Sequence, residues 1–155
     1  MSTLYRDDFV SWTREQADGL RRARDAGSNL PLDWVNLIEE IEALGAAERR
    51  ELRPHLARIV EHLAKLRYSP ARWPRRGWMR TVQRHRDAIE QLLADSPSLR
   101  GDGPALLAAA WRNARRDAAK GLERHLESAS LPERCPFDVA QILDPDWFPD
   151  RSTPP

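Results

Sequence analysis

Five stretches of this chain place apolar side chains three or four residues apart, and none alternates them in twos. The first spacing buries one face of a helix and the second would bury one face of a strand, so the pattern specifies an all-α protein. The first stripe is Phe9, Trp12, Gln16, Leu20 and Ala23. Asp7 or Asp8 can cap it, and Gly27-Ser28-Asn29 ends it. The second runs from about Asp33 to Leu44, with Gly45 suited to the left-handed position past a helix end. The third covers about Ala47 to Tyr68 with Pro54 inside it, so it either begins nearer Leu52 or kinks, and the kink is the favoured expectation. The fourth spans about Gly77 to Ala94, and the fifth about Pro104 to Glu127 with its proline in the first turn.

Beyond Leu131, Pro132, Pro136, Pro145 and Pro149 break up a segment that still holds Phe137, Ile142, Leu143, Trp147 and Phe148. A tail this apolar is expected to fold back, with one short helix at about Phe137 to Leu143 capped by Asp138 or its neighbour. Residues 151–155 are expected to fray. The reading is an antiparallel bundle of about five helices with a proline-rich tail packed on it, forming one domain over 1–150. A chain of 155 residues, 41% of them apolar, is large enough to bury a core without staples.

The charge pattern is less ordinary. From Leu63 to Arg86 there are eight cations and no acid: Lys65, Arg67, Arg72, Arg75, Arg76, Arg80, Arg84 and Arg86, with Tyr68, Trp73 and Trp78 among them. The whole chain nevertheless sums to +1. The block therefore has a partner inside the fold or outside it. The acids of the second helix are the inside candidates. Glu40 and Glu42 flank its stripe, where partly dry carboxylates need counter-charges. The expected internal network is Glu40, Glu42, His62, Lys65 and Arg84. The outside candidate is nucleic acid, with Arg72, Arg75, Arg76 and Arg80 on phosphates and the interleaved aromatics on bases. Against that reading stands a sequence pI of about 8.0, below the strongly basic values of such binders.

Other chemistry has little support. His55 and His62 lie two turns apart on one face, and His85 and His125 fall in or near later stripes. None completes a Glu-x-x-His or His-Glu-x-x-His pattern, so hydrogen-bonded boundary histidines are expected and no metal or cofactor. An enzyme built on Glu40, Glu42 and His62 is a remote third reading. The lone Cys135 reads as a small apolar thiol. Gly101-Asp102-Gly103-Pro104 lacks the lysine of a phosphate loop and reads as a linker and cap. No secretory signal and no membrane-length apolar run is visible, so a reducing cytoplasm is the expected home.

Taken in order, several short motifs resemble one family. They are Asp8-Phe9 with Trp12, Leu37-Ile38-Glu39-Glu40-Ile41-Glu42 with Leu44-Gly45, and Arg50-Glu51-Leu52. His62-Leu63 with Lys65, Tyr68 before Pro70, Asp95-Ser96-Pro97-Ser98-Leu99, and Cys135-Pro136 follow. In these the chain resembles the bacterial domain-of-unknown-function 29 proteins over nearly its whole length. The resemblance implies an all-α bundle and implies no activity. The function expected is that of a non-enzymatic helical protein acting through protein contacts or self-association, with an apolar patch that includes Trp147 and Phe148. Nucleic-acid binding is the alternative.

Overall fold

The computed structural model describes residues 3–123 and 131–151. Among these the chain is all-α, with no strand. Its elements are α1 (Leu4–Asp7), α2 (Phe9–Asp25), α3 (Trp34–Tyr68), α4 (Arg75–Asp95), a 3-10 helix (Pro97–Asp102), α5 (Gly103–Glu123) and α6 (Val139–Leu143). The chain divides into two compact units, Met1–Glu51 with Gln91–Gly101, and Leu52–Glu90 with Asp102–Pro155.

In the first unit one carboxylate organises the entry to α2. Asp8 accepts from Ser11 N at 2.9 Å, the N-cap bond expected from the sequence. The same carboxylate accepts from Ser98 N at 2.8 Å and from the Ser98 hydroxyl at 2.9 Å. Beside it Val10 N donates to Ser96 Oγ at 3.3 Å. Burial alone would raise the Asp8 pKa, but the hydrogen bonds from Ser11 and Ser98 hold it below the ordinary value. The far end of α2 closes at Gly27, whose φ of 75° is the left-handed conformation that suits glycine.

Gly45 corrects the sequence reading. The two helices expected on either side of it are one, Trp34–Tyr68. Gly45 is buried inside that helix, and a Cβ there would run into the Thr13 hydroxyl. The glycine is present for close approach to α2, not to end a helix. Pro54 also sits within the continuous helix, on an exposed stretch with Arg50. Its ring removes the donor that the Arg50 carbonyl would otherwise meet, and an exposed carbonyl can turn to water instead.

The second unit holds most of the core. Leu56, Ile59, Val60, Leu63 and Leu66 from α3 are buried, as are Val82 and Ile89 from α4 and Trp111, Ala114, Ala118 and Leu122 from α5. The tail supplies Leu131, Phe137 and Ile142, so it does fold back. Its short helix begins at Val139, two residues later than expected. Asp138 accepts from Gln141 N while the Gln141 side chain bonds back to Asp138 N, a reciprocal cap that leaves Phe137 outside. The expected end of α5 near Glu127 and the expected fraying of 152–155 lie outside the described residues, as does His125.

One buried cation makes several of the bonds that hold the tail. Arg86 is 4% exposed and has no carboxylate at ion-pair distance among the described residues. Its Nε donates to Ile142 O at 2.7 Å and its Nη2 to Gln141 O at 3.2 Å and Trp147 O at 2.9 Å. Its Nη1 reaches Pro145 O at 3.5 Å, and its guanidinium carbon lies 4.9 Å from the centre of the Phe148 ring. Two of these carbonyls belong to the last turn of α6, whose carbonyls have no helical donor. Trp111 Nε1 and Arg115 treat Pro132, Glu133 and Leu131 carbonyls in the same way.

Replacing Arg86 by Lys keeps the charge and discards the fork, leaving buried carbonyls unsatisfied. Arg86→Lys is expected to destabilise the fold by about 2–4 kcal/mol, read as a shifted midpoint in urea denaturation followed by tryptophan fluorescence.

Candidate anion-binding surface

The connection between α3 and α4 is short and tied down. Ser69 is fully buried, its N–H donates to Lys65 O at 3.0 Å, and its hydroxyl accepts from Ala71 N at 3.1 Å. Arg75 Nη1 donates to Leu66 O at 2.8 Å, and Arg151 Nη2 donates to Pro70 O at 2.8 Å. Pro70 and Pro74 fix the backbone further. On this loop Trp73 is 96% exposed, more than any other large apolar side chain among the described residues.

α4 then sorts its residues by face. Val82, Arg86 and Ile89 point inward and are buried, while Arg76, Arg80 and Arg84 are exposed. Residues four apart on a helix share a face and rise about 6 Å, so these three form a ladder about 12 Å long. Arg72 is exposed immediately before it. None of these four arginines has an ion pair or hydrogen bond among the described residues.

Among the described residues the internal neutralisation expected for the block is not seen. There, of the eight cations, Lys65 meets a carboxylate, and it is Glu61 at 2.6 Å, an acid the sequence reading did not single out. Arg75 and Arg86 meet backbone carbonyls, and Arg67 lies 5.8 Å from the Tyr68 ring. The five residues expected as one network do not form one. Glu42 pairs with Arg21, Glu40 is exposed, His62 Nδ1 bonds Arg58 O at 2.9 Å, and Arg84 is bare. Arg75 also leaves the expected anion-contact set, since it serves as a strut for the loop, and Arg84 takes its place.

Glu61 is 5% exposed and takes a second bond from Arg58 at 3.1 Å. Burial pushes its pKa up, but the bonds and charges of Lys65, His62 and Arg58 bring it below the ordinary carboxylate value. Its spacing to Lys65 is the i, i+4 pair of an ordinary helix, and that was the signal available in the sequence. A second feature crosses between helices. His55 Nδ1 and His85 Nδ1 lie 2.8 Å apart, with ring centres 5.1 Å apart. One ring must donate and the other accept, so the pair cannot persist with both protonated. Among the described residues no group of three or more His, Cys, Asp or Glu side chains is placed to hold a metal.

Elsewhere in the second unit an apolar hollow of about 710 Å³ is lined by Leu107, Trp111, Phe137 and Val139, with Cys135 at its wall. Burial pushes the Cys135 thiol up, so it stays protonated, as an unreactive thiol would. No described helix is long and apolar enough to cross a membrane.

These features define an all-α protein with an exposed arginine ladder on α4. The chain belongs to the DUF29 family, a domain of unknown function whose profile matches residues 4–148. It is similar to an α-helical protein of unknown function from Rhodospirillum rubrum ATCC 11170, solved as a crystal structure. The two are 27% identical with a TM-score of 0.73, over 95% of this chain and 93% of that one. Comparison with curated proteins finds no match.

The histidines make stability depend on pH. Burial lowers the pKa of both His62 and His85, and for His85 the neighbouring His55, Arg84, Arg58 and His62 push the same way. A lowered folded-state pKa means the unfolded chain takes up the proton first. Stability is then fully present above about pH 6.5 and is lost as pH falls through the folded-state values. Glu61, being lowered, loses its contribution only in the carboxylate range. Melting followed by circular dichroism is expected to show Tm falling by roughly 3–6 °C between about pH 7.5 and 5, with a shallower fall in His85→Gln.

Proposed function

We propose that this protein is a nucleic-acid-binding module that grips phosphates with Arg72, Arg76, Arg80 and Arg84. The observation that carries this reading is that these four cations are exposed and make no ion pair or hydrogen bond among the described residues. Elsewhere the chain pairs its cations, Lys65 with Glu61 and Arg21 with Glu42, and among the described residues it places no acid in an ion pair with these four. Clustered like charges are a cost to the isolated protein, and an external polyanion relieves it. Phosphate contacts of this kind release counterions and give affinity without sequence preference.

Fluorescence anisotropy with a labelled oligonucleotide at about 50 mM salt is expected to give a micromolar Kd that weakens steeply as salt rises. The variant Arg72→Ala/Arg76→Ala/Arg80→Ala removes three phosphate contacts, and the slope of log K against log salt is expected to flatten by about 2. Its fold is expected to be intact, because the three side chains are exposed and make no ion pair or hydrogen bond among the described residues. No binding by the unaltered protein at micromolar concentration would end this reading.

A second reading, self-association, has its own observation. Trp34, Leu37, Ile41 and Leu44 recur on α3 at the three-then-four spacing of a helix-pairing seam, and Leu37 and Leu44 are 36% and 46% exposed. Trp147 and Phe148, the residues expected in such a patch, are half-buried. Trp147 packs edge-on against Phe137, and Phe148 lies under Arg86. Analytical ultracentrifugation is expected to show a concentration-dependent dimer that Leu37→Glu/Leu44→Glu abolishes; a monomer at every concentration excludes it.

A further inference from the structure

Resting on the nucleic-acid reading, we infer that Trp73 is a stacking platform for unpaired bases, so that the ligand of this surface is a single strand and not a duplex. The indole is 96% exposed on a loop whose backbone is held at both ends. Arg75 bonds it to α3, Ser69 bonds it to itself, Arg151 of the C-terminal tail bonds Pro70 O, and Pro70 and Pro74 restrict its dihedrals. The exposure is therefore a property of a well-held loop. Such a loop could turn an apolar ring inward at a gain in stability, and this one holds it out.

The neighbours of the indole narrow what it meets. Arg72 precedes it, and Pro74 and Arg76 follow at one and three residues. A tryptophan that anchors a protein partner normally sits inside an apolar ring of lesser contacts. A tryptophan that anchors a helix in a lipid surface has apolar companions on the inserted face. The exposed positions of α4 nearest the loop carry Arg76, Arg80 and Arg84, with Met79 as a lone apolar companion there. A flat π-face flanked by uncompensated guanidinium groups matches a nucleotide, which offers a flat base and an anion within one residue. In a duplex the base faces are already stacked on each other, so only a single strand can use the indole. Trp78, the other tryptophan of the segment, is half-buried and cannot offer a free face.

The test compares an oligothymidylate and an oligouridylate of roughly 20 nucleotides, a duplex of the same length, and phosphatidylglycerol vesicles. Trp73→Ala is expected to weaken single-strand binding by roughly 5- to 100-fold and to leave duplex binding unchanged. Trp73→Phe, which keeps a ring, is expected to lose much less. Both variants are expected to melt as the unaltered protein does, because Trp73 packs on nothing. Equal single-strand affinity for Trp73→Ala and the unaltered protein overturns the stacking role. In that case a weakened triple-arginine variant still leaves the phosphate-gripping reading standing. Trp73-dependent binding to vesicles without oligonucleotide binding, or no binding to any probe, overturns both.

Discussion

The burial of Arg86 is the constraint on which most of the second unit depends. A guanidinium taken out of water needs its donors satisfied, and here the partners are main-chain carbonyls of Gln141, Ile142, Pro145 and Trp147. That choice couples two structures that could not exist separately. The tail has too many prolines to satisfy its own carbonyls with helix or sheet, and α4 has an arginine where its apolar stripe needs a neutral residue. Each supplies what the other lacks. The Phe148 ring then closes over the cation, and Gln83 Nε2 takes the remaining face of Pro145 O at 2.5 Å. Once the tail is fixed, Phe137 and Ile142 complete the core.

In the first unit the corresponding role falls to Asp8, and it explains why distant motifs accompany one another. Asp8-Phe9 and Ser96-Pro97-Ser98 are about ninety residues apart, yet one carboxylate caps α2 and takes both donors of Ser98. Leu44-Gly45 belongs to the same unit through the contact of Gly45 with Thr13. The residues that carry the family likeness thus have architectural work in this structure.

The sequence made the helices legible because each buries one side, and a one-sided pattern needs no tertiary knowledge to read. The caps at Asp8 and Asp138 were legible for the same local reason. Gly45 was not, since glycine ending a helix and glycine admitting a neighbour are the same letter; only the position of Thr13 distinguishes them. The charged residues were least legible. Arg86 and Arg80 look alike in the chain, and their difference is whether a carbonyl-rich tail returns to them. His55 and His85 meet across thirty residues, a pairing no spacing rule anticipates. Glu61 takes Lys65 because it is one turn away on the same helix, where a pair costs little ordering, while Glu42 meets Arg21 instead.

The overall charge of +1 bears directly on how such a surface would work. A protein this close to neutral exerts little attraction at a distance, and beyond a Debye length of about 10 Å its acids cancel its arginines. The field that a strand meets is local, that of Arg72 and the ladder from Arg76 to Arg84. Attraction confined to that range steers encounters poorly, so affinity must come from contacts made after arrival. Phosphate contacts from four mobile arginine side chains lose entropy as they form. An indole on a tied backbone has only two side-chain torsions to fix, so it loses less. The physical demand for a preordered contact is greatest in a nearly neutral protein, and Trp73 on its tied loop is the side chain that meets it.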